Sequence, residues 1–180
     1  MKTQKRRRNS YRLAGHNYAD PNFLYFITLN AQIKTLTPDS PVNPKTPFIS
    51  CPALGDQAVT SLHFYRQQGK WFIFAYCLMP DHLHLLVSPR GGANLSDVLG
   101  RYESYVTRIA WQHGVVGPLW ERSFYDQIVR NEKAVSRVVT YILNNPVKAK
   151  LVEAEDDWPW SGTPDSLLAV GATLRGRPPI

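Results

Sequence analysis

Residues 71–87 have the sequence Trp-Phe-Ile-Phe-Ala-Tyr-Cys-Leu-Met-Pro-Asp-His-Leu-His-Leu-Leu-Val. Two strongly apolar runs, Trp71–Met79 and Leu83–Val87, are separated here by a segment that contains Pro80 and Asp81, two residues that favour turns. The first run is rich in aromatic residues, which favour β-strands. The segment therefore predicts a central antiparallel β-hairpin and, with it, a sheet in the middle of the fold.

The segments on either side of the hairpin alternate between strand and helix signals. Residues 37–52 contain five prolines and predict an irregular surface loop. The other predicted elements are strands at Phe23–Asn30 and Phe124–Arg130, and helices at Leu54–Gln68, from Asn94 or Ser96 to about His113, and from about Asn131 to a stop imposed by Pro146. The order β-α-β-β-α-β-α predicts an α+β fold, an antiparallel β-sheet with helices packed on one face.

Length and composition predict one domain. The chain has 180 residues, of which 43% are hydrophobic, enough for a single core. Cys51 and Cys77 are the only cysteines, and their spacing fits neither a disulfide framework nor a thiolate zinc site. We expect a basic flexible arm at residues 1–20, the domain at 21–161 and a tail at 162–180.

The charge balance points to a polyanionic partner. Lys and Arg total 21 and Asp and Glu total 14, which gives a net charge of +7. Such a surplus favours nucleic acid or an acidic membrane surface. The longest apolar run, Trp71–Met79, is less than half of the roughly 20 residues that a membrane helix needs. We therefore expect a cytoplasmic protein with no membrane partner.

His82 and His84 form the most informative pair of residues in the hairpin. Residues i and i+2 of a strand project from the same face, so both imidazoles point one way while Leu83 points the other way. Two neutral imidazoles at this spacing can hold one metal ion. Two unrelated strand histidines would have the same spacing, so the pair alone leaves both interpretations open.

The last predicted helix carries polar residues beside an apolar stripe. The stripe, which is expected to face the core, comprises Val135, Val138, Val139 and Ile142. Tyr141 and Asn145 are four residues apart and share a face next to it. The carbonyl oxygen of Asn145 can complete a metal site begun by the two histidines, with Tyr141 one turn away. A boundary aromatic and a polar residue near a helix end would produce the same pattern.

Two segments together resemble a known family. Met79–Val87 resembles the HUH strand (His, hydrophobic, His) of the IS200-like single-tyrosine transposases. Residues 139–148, Val-Thr-Tyr-Ile-Leu-Asn-Asn-Pro-Val-Lys, resemble the tyrosine helix of one branch, the REP-associated tyrosine transposases. Supporting matches at Phe26–Asn30, Leu119–Phe124 and Trp158–Ser161 extend the resemblance from about residue 22 to 161.

The resemblance implies a ferredoxin/RRM-like HUH nuclease fold and a specific chemistry. A member of this family nicks and rejoins single-stranded DNA at hairpin-forming repeats through a covalent 5′-phosphotyrosine. Matched by position, Tyr141 is the nucleophile, His82 and His84 are metal ligands, and Asn145 is the polar third ligand. The implied cofactor is a divalent metal, Mg²⁺ or Mn²⁺. The family includes dimers, but the REP-associated branch favours a monomer, with a dimer as the alternative.

We expect no nucleotide cofactor, because the chain contains no GxxxxGK[ST] phosphate loop. The residues expected to bind DNA phosphates are Arg6, Arg7, Arg8, Arg122, Arg130, Arg137 and Lys148. Trp120 is expected to stack on an unpaired base, although burial is the commoner fate of a tryptophan. Tyr102 and Tyr105 are the rival tyrosines, and we expect packing roles for both. We expect Tyr125 to be a strand residue near the DNA surface.

Two other classes of protein remain open at this stage. The chain could be a catalytically silent nucleic-acid-binding module, since sheets of this type also bind RNA. It could also be a metal-dependent phosphodiester hydrolase that uses metal-bound water. A Tyr141→Phe variant separates these classes, because only a tyrosine transposase should lose cleavage.

Overall fold

A computed structural model describes residues 17–166 of the chain. The strands are β1 (Leu24–Asn30), β2 (Thr35–Leu36), β3 (Trp71–Leu78), β4 (His82–Pro89), β5 (Val115–Val116), β6 (Tyr125–Val129) and β7 (Ser161–Gly162). The α-helices are α1 (Pro47–Ser50), α2 (Pro52–Gln67), α3 (Leu95–Gln112), α4 (Glu132–Leu143) and α5 (Asn145–Lys148). A 3₁₀ turn follows at Glu155–Asp157.

The core of the molecule is a five-stranded antiparallel sheet with the order β6-β1-β4-β3-β7. The predicted hairpin of β3 and β4 is confirmed and lies at its centre. A bulge between Ile73 and Ala75 shifts the pairing of β3 with β4 by one residue. Strands β2 and β5 pair separately, away from the main sheet. The predicted α+β class is therefore confirmed.

Helices cover both faces of the sheet. On one face, the Trp71 indole donates to the Leu62 carbonyl of α2 at 3.2 Å and packs on Tyr102 of α3. On the other face, Tyr141 of α4 packs on Phe26 of β1. The prediction of helices on one face only is wrong. Strand β4 is buried on both sides from Leu83 to Pro89, and a strand apolar on both faces needs a cover on each.

The folded domain extends slightly beyond the predicted limits of 21 and 161. Tyr18 is buried, and its hydroxyl donates to Asp126 Oδ2 at 2.5 Å. At the other end, Asp165 accepts two hydrogen bonds from the Arg66 guanidinium at 2.8 and 2.9 Å. Residues 17–20 and 162–166 thus pack against the domain and are not part of an arm or a tail. The remainder of the predicted arm and tail lies outside the described residues.

The proline-rich segment at 37–52 is not wholly irregular. Pro47 occupies the first turn of α1, where a missing backbone N–H costs nothing, and Pro52 does the same for α2. Phe48 is fully buried, and its ring packs on Trp120 with 5.5 Å between centroids. The prediction of a surface loop is therefore wrong for this part of the segment. Within residues 17–166, no helix is long and apolar enough to cross a membrane.

Close packing of α2 against the chain after α5 gives a stability prediction. A Cβ at Gly55 would lie 2.6 Å from Trp160 Cζ2, and the Trp160 indole is tied to Asp56 by a 2.9 Å hydrogen bond. Gly55→Ala should lower the free energy of unfolding by about 1–3 kcal/mol, measured by urea denaturation. The matched control is Gly100→Ala on α3, where no atom lies within 4 Å of the new Cβ. Gly100→Ala should raise the free energy of unfolding by about 0.5–1 kcal/mol. Equal changes in this free energy for the two variants would show that the contact with Trp160 does not limit the space at Gly55.

Candidate active site

The two histidines of β4 meet on the face of the sheet that α4 covers. Strand β4 begins at His82, directly after a turn closed by a 2.7 Å hydrogen bond from Met79 N to the His82 carbonyl. The Nε2 atoms of His82 and His84 lie 3.1 Å apart, and the ring centroids are 4.6 Å apart. The same-face projection predicted from the spacing is thus observed.

In each imidazole, Nδ1 is the nitrogen that takes no part in the contact between the two histidines, and a different side chain lies next to it in each case. Asp81 Oδ1 lies 2.7 Å from His82 Nδ1, and Thr28 Oγ1 lies 2.8 Å from His84 Nδ1. Because a carboxylate only accepts hydrogen bonds, this contact favours the tautomer of the neutral His82 imidazole that has its proton on Nδ1 and its lone pair on Nε2. Sequence reasoning treated Asp81 as a turn residue and missed Thr28, whose role follows from its pairing with His84 across β1 and β4.

The chemistry of this pair fits a divalent metal. Two ligand atoms on adjacent corners of an octahedron, each about 2.1 Å from the ion, are about 3 Å apart, as these Nε2 atoms are. Burial, and secondarily the neighbouring His82, lowers the pKa of His84 to about 3. His84 is therefore neutral at physiological pH, which is the form that binds metals.

The surroundings limit which residue can add a third ligand. Among residues 17–166, no group of three or more His, Cys, Asp and Glu side chains is arranged to hold a metal. Cys77 pairs with His84 from β3, but burial raises the pKa of its thiol to about 12, so it is not a thiolate at neutral pH. A third protein ligand of another type, such as an amide oxygen, is compatible with this arrangement.

Asn145 has an amide oxygen, which is a possible metal ligand, but, contrary to the prediction, it does not lie on the same helix as Tyr141. Helix α4 ends at Leu143, and Asn145 opens the separate helix α5. The predicted stop before Pro146 agrees with this end of α4, because proline has no N–H to continue the hydrogen-bond ladder. The expectation that Asn145 lies on the same helix as Tyr141 is wrong. The Asn145 Nδ2 donates to the Tyr141 carbonyl at 2.8 Å, which ties the amide to the Tyr141 turn.

Tyr141 lies on α4 directly beside the histidine pair. Its ring packs edge-on against His84 with 5.4 Å between centroids and against Phe26 at 5.8 Å. It remains 41% exposed, so the phenol is both fixed by packing and open to solvent. Helix α4 is capped at the start by Asn131, whose side chain accepts from Ala134 N. The structure thus brings together the predicted tyrosine and the predicted histidines.

Two of the predicted cationic residues lie close to Tyr141. Lys148 of α5 places its Nζ 5.2 Å from the centre of the Tyr141 ring. Arg137 is exposed one turn earlier on α4, at the i, i+4 spacing that puts it on the same side as Tyr141. Among the rival tyrosines, Tyr102 is fully buried and burial raises the pKa of its phenol, which makes it inaccessible as a nucleophile.

The other arginines predicted to contact DNA lie at opposite ends of the sheet or outside the described residues. Arg122 is exposed near the His82 end of the sheet, since its neighbour Glu121 accepts a 3.0 Å hydrogen bond from Asn30, the pairing partner of His82. Arg130 follows Val129, which pairs with Leu24 at the far end of β1. The prediction that Arg130 flanks the histidines is therefore wrong. Arg6, Arg7 and Arg8 lie outside the described residues.

Trp120 does not present a free ring face. It is 6% exposed, and its ring lies 5.5 Å from that of Phe48 and 6.0 Å from that of Tyr102. The prediction that Trp120 stacks on an unpaired base is wrong, because other aromatic side chains already pack against its ring. An exposed tryptophan is found instead at Trp111 on α3, which the sequence reasoning did not single out.

Comparison with known proteins identifies the family. The family model described as "Transposase IS200 like" matches residues 52–145, just over half of the chain, and includes both histidines and Tyr141. The chain belongs to the IS200-like transposase family.

Individual relatives belong to one branch of it. The chain is 30% identical over 111 residues to a Haemophilus influenzae protein assigned provisionally as a REP-associated tyrosine transposase, covering 54% of this chain and 63% of that one. It is also 30% identical over 90 residues to the REP-associated tyrosine transposase of Escherichia coli, covering 49% and 52%. The chain therefore spans only about half to two thirds of the length of these curated relatives.

A solved structure supports the fold. The structure of a REP-associated tyrosine transposase bound to a REP hairpin matches with a TM-score of 0.61 and 22% identity, over 83% of this chain and 82% of that one. At this level of identity the match confirms the fold, and the α+β architecture derived from the hairpin agrees with it.

Proposed function

We propose that this protein is a transposase that nicks and rejoins single-stranded DNA through a covalent 5′-phosphotyrosine on Tyr141. The observation that carries the proposal is the contact of the exposed Tyr141 ring with His84, 5.4 Å between centroids, on the face where the two histidines converge. Membership of the IS200-like family supports the same chemistry.

In the proposed reaction, Tyr141 Oη attacks the phosphorus of a DNA phosphodiester. The phenol gives up its proton to solvent, the O–P bond to the tyrosine forms as the P–O3′ bond breaks, and the leaving 3′ oxygen takes up a proton. The products are a free 3′ hydroxyl and a 5′ phosphate attached to Tyr141. The covalent bond preserves the energy of the broken linkage, so rejoining needs no nucleotide cofactor. Lys148 and Arg137, on the Tyr141 side of the site, are proposed to hold the phosphate backbone.

His82, His84 and Asn145 are the proposed holders of a divalent metal. The converging Nε2 atoms of the histidines support this assignment, and within residues 17–166 no third His, Cys, Asp or Glu side chain is arranged with them to hold a metal. A mixed imidazole and carbonyl set with open positions is compatible with Mg²⁺ or Mn²⁺. When bound, such an ion supplies charge neutralisation at the non-bridging phosphate oxygens and the leaving 3′-oxygen.

The proposed substrate is a hairpin-forming repeat with single-stranded flanks. The net charge of +7 and the REP hairpin held by the structural relative support a DNA partner of this kind. We propose a monomer that acts on chromosomal DNA in the cytoplasm. Like Arg137, Arg122 is exposed in the described part of the chain, and we propose it as a further phosphate contact.

The function is tested by incubating the protein with labelled hairpin DNA from the flanks of its own gene. We expect cleavage of the single-stranded form with Mn²⁺ or Mg²⁺, no cleavage in EDTA, and no cleavage of the same sequence as a perfect duplex. Zn²⁺ alone should not support the reaction. Equal cleavage of both DNA forms, or cleavage in EDTA, would contradict the proposal.

The contact between Thr28 and His84 Nδ1 gives a separate prediction on metal affinity. Thr28→Val removes the hydroxyl 2.8 Å from His84 Nδ1 at nearly constant volume and should weaken Mn²⁺ binding by about 10- to 100-fold, measured by titration calorimetry. Thr28→Ser keeps the hydroxyl and should stay near the unsubstituted protein. If Thr28→Val binds Mn²⁺ as tightly as Thr28→Ser does, the hydroxyl does not orient His84.

A further inference from the structure

A cleft outside the histidine site lies between the second half of α3 and the segment at residues 117–122. Its volume is about 620 Å³. The lining residues that matter here are Ser104, Arg108, Trp111, Trp120, Glu121 and Arg122. The cleft therefore combines two indoles with charged groups of both signs.

Trp111 forms an exposed but fixed aromatic wall of this cleft. Its side chain is 52% exposed, yet its Nε1 donates to the Gly117 carbonyl at 2.6 Å. The hydrogen bond holds the indole in place, so little rotamer freedom remains to be lost when a ring stacks on it. A fixed, exposed indole is a suitable platform for an unpaired nucleobase.

Trp120 contributes a hydrogen-bond donor that the protein leaves unused. The residue is 6% exposed, and its buried Nε1 has no hydrogen-bond partner within residues 17–166. A buried N–H without a partner costs free energy, and a ligand that offers an acceptor removes this cost. The carbonyl oxygens and unprotonated ring nitrogens of a nucleobase are acceptors of this kind.

The charged residues complete a site for a nucleotide. Arg108 and Arg122 line the cleft and suit phosphate groups, while the carboxylate of Glu121 suits the amino group of a base edge. Glu121 also accepts the 3.0 Å hydrogen bond from Asn30, which pairs with His82 across the sheet. One lining residue of the cleft is thus hydrogen-bonded to the end of β1 that pairs with His82.

We infer that this cleft binds an unpaired nucleotide of the DNA strand that enters the active site. The base stacks on Trp111 and accepts a hydrogen bond from Trp120 Nε1, and the adjacent phosphates contact Arg108 and Arg122. A base stacked within a duplex has neither face free for Trp111, so the cleft favours an unpaired base over one inside a duplex. This inference rests on the proposed function, because it names a binding subsite for the same substrate.

The test measures binding in EDTA, in a Tyr141→Phe background, so that cleavage does not contribute. The probes are two fluorescein-labelled hairpins from the flanks of the gene, one with its single-stranded flank and one without it. Trp111→Ala should weaken binding of the flanked hairpin by about 5- to 100-fold and leave the bare hairpin unchanged. Trp111→Phe keeps an aromatic face and should recover most of the affinity.

Phe64→Ala is the matched control for loss of an exposed aromatic side chain. Phe64 is 53% exposed on the neighbouring helix α2 and does not line the cleft. This variant should bind both hairpins as tightly as its parent does. Abasic substitutions along the flank should identify one position that weakens binding to the parent and not to Trp111→Ala.

Several results would overturn the inference. They are unchanged binding by Trp111→Ala, equal loss on both hairpins, or an abasic scan with no position that depends on Trp111. Any of these three results would leave the proposed function intact, provided that the unsubstituted protein still cleaves the flanked hairpin with Mn²⁺. Absence of that cleavage would count against the proposed function, whatever the binding in EDTA shows.

Discussion

Tyr141→Phe is expected to abolish strand cleavage while leaving DNA binding unchanged. The substitution removes only the hydroxyl, and the ring that packs on Phe26 and His84 stays in place. Removal of a catalytic nucleophile typically costs several orders of magnitude, so we expect the single-turnover rate with Mn²⁺ to fall by at least about 1,000-fold. The rate is measured on labelled hairpin DNA.

Tyr125→Phe is the control that separates Tyr141 from its strongest rival. Tyr125 is 46% exposed, close to the 41% of Tyr141, and pairs with Thr28 on the histidine side of the sheet. We expect Tyr125→Phe to cleave at nearly the unsubstituted rate. Loss of cleavage in Tyr125→Phe alone would move the nucleophile to β6. Full cleavage in both variants would favour attack by water.

His82→Ala is expected to remove divalent-metal binding and cleavage together. The variant deletes one of the two Nε2 atoms that lie 3.1 Å apart. His82 is the better site for this test because it is partly exposed, whereas His84 is 5% exposed and its truncation would also open a cavity. We expect Mn²⁺ affinity to fall by at least about 100-fold in titration calorimetry, since loss of a supporting contact alone costs 10- to 100-fold.

His113→Ala serves as the control for loss of a histidine elsewhere. His113 follows the end of α3, is partly buried, and has no role in the proposed site. It should retain both Mn²⁺ affinity and cleavage, and both variants should unfold near the same temperature as the parent. Tight Mn²⁺ binding by His82→Ala would contradict the assignment of the histidine pair as the metal site.

The sequence was sufficient to predict the parts of the site that depend on short spacing. The His-Leu-His spacing on a strand places both imidazoles on one face, and this follows from the two-residue period alone. The start of α4 follows from Asn131, whose side chain caps the helix as local patterns suggest. These features need no knowledge of tertiary contacts.

Features that depend on long-range pairing could not be predicted in this way. The hydrogen bond of Thr28 to His84 joins residues 56 positions apart and depends on the register of β1 with β4. The register of β1 with β6 places Arg130 at the far end of the sheet. The covering of Trp120 by Phe48 and Tyr102 likewise depends on three distant segments meeting in one core.

The most direct test of the account is to look for the covalent intermediate itself. The protein is incubated with labelled single-stranded hairpin DNA in Mn²⁺ or in EDTA, resolved on a denaturing protein gel, and the adduct is mapped by mass spectrometry. The proposed mechanism predicts a Mn²⁺-dependent adduct in which the DNA is attached to Tyr141 through a 5′ phosphate. Mn²⁺-dependent nicking with no adduct, or an adduct on another residue, would contradict it.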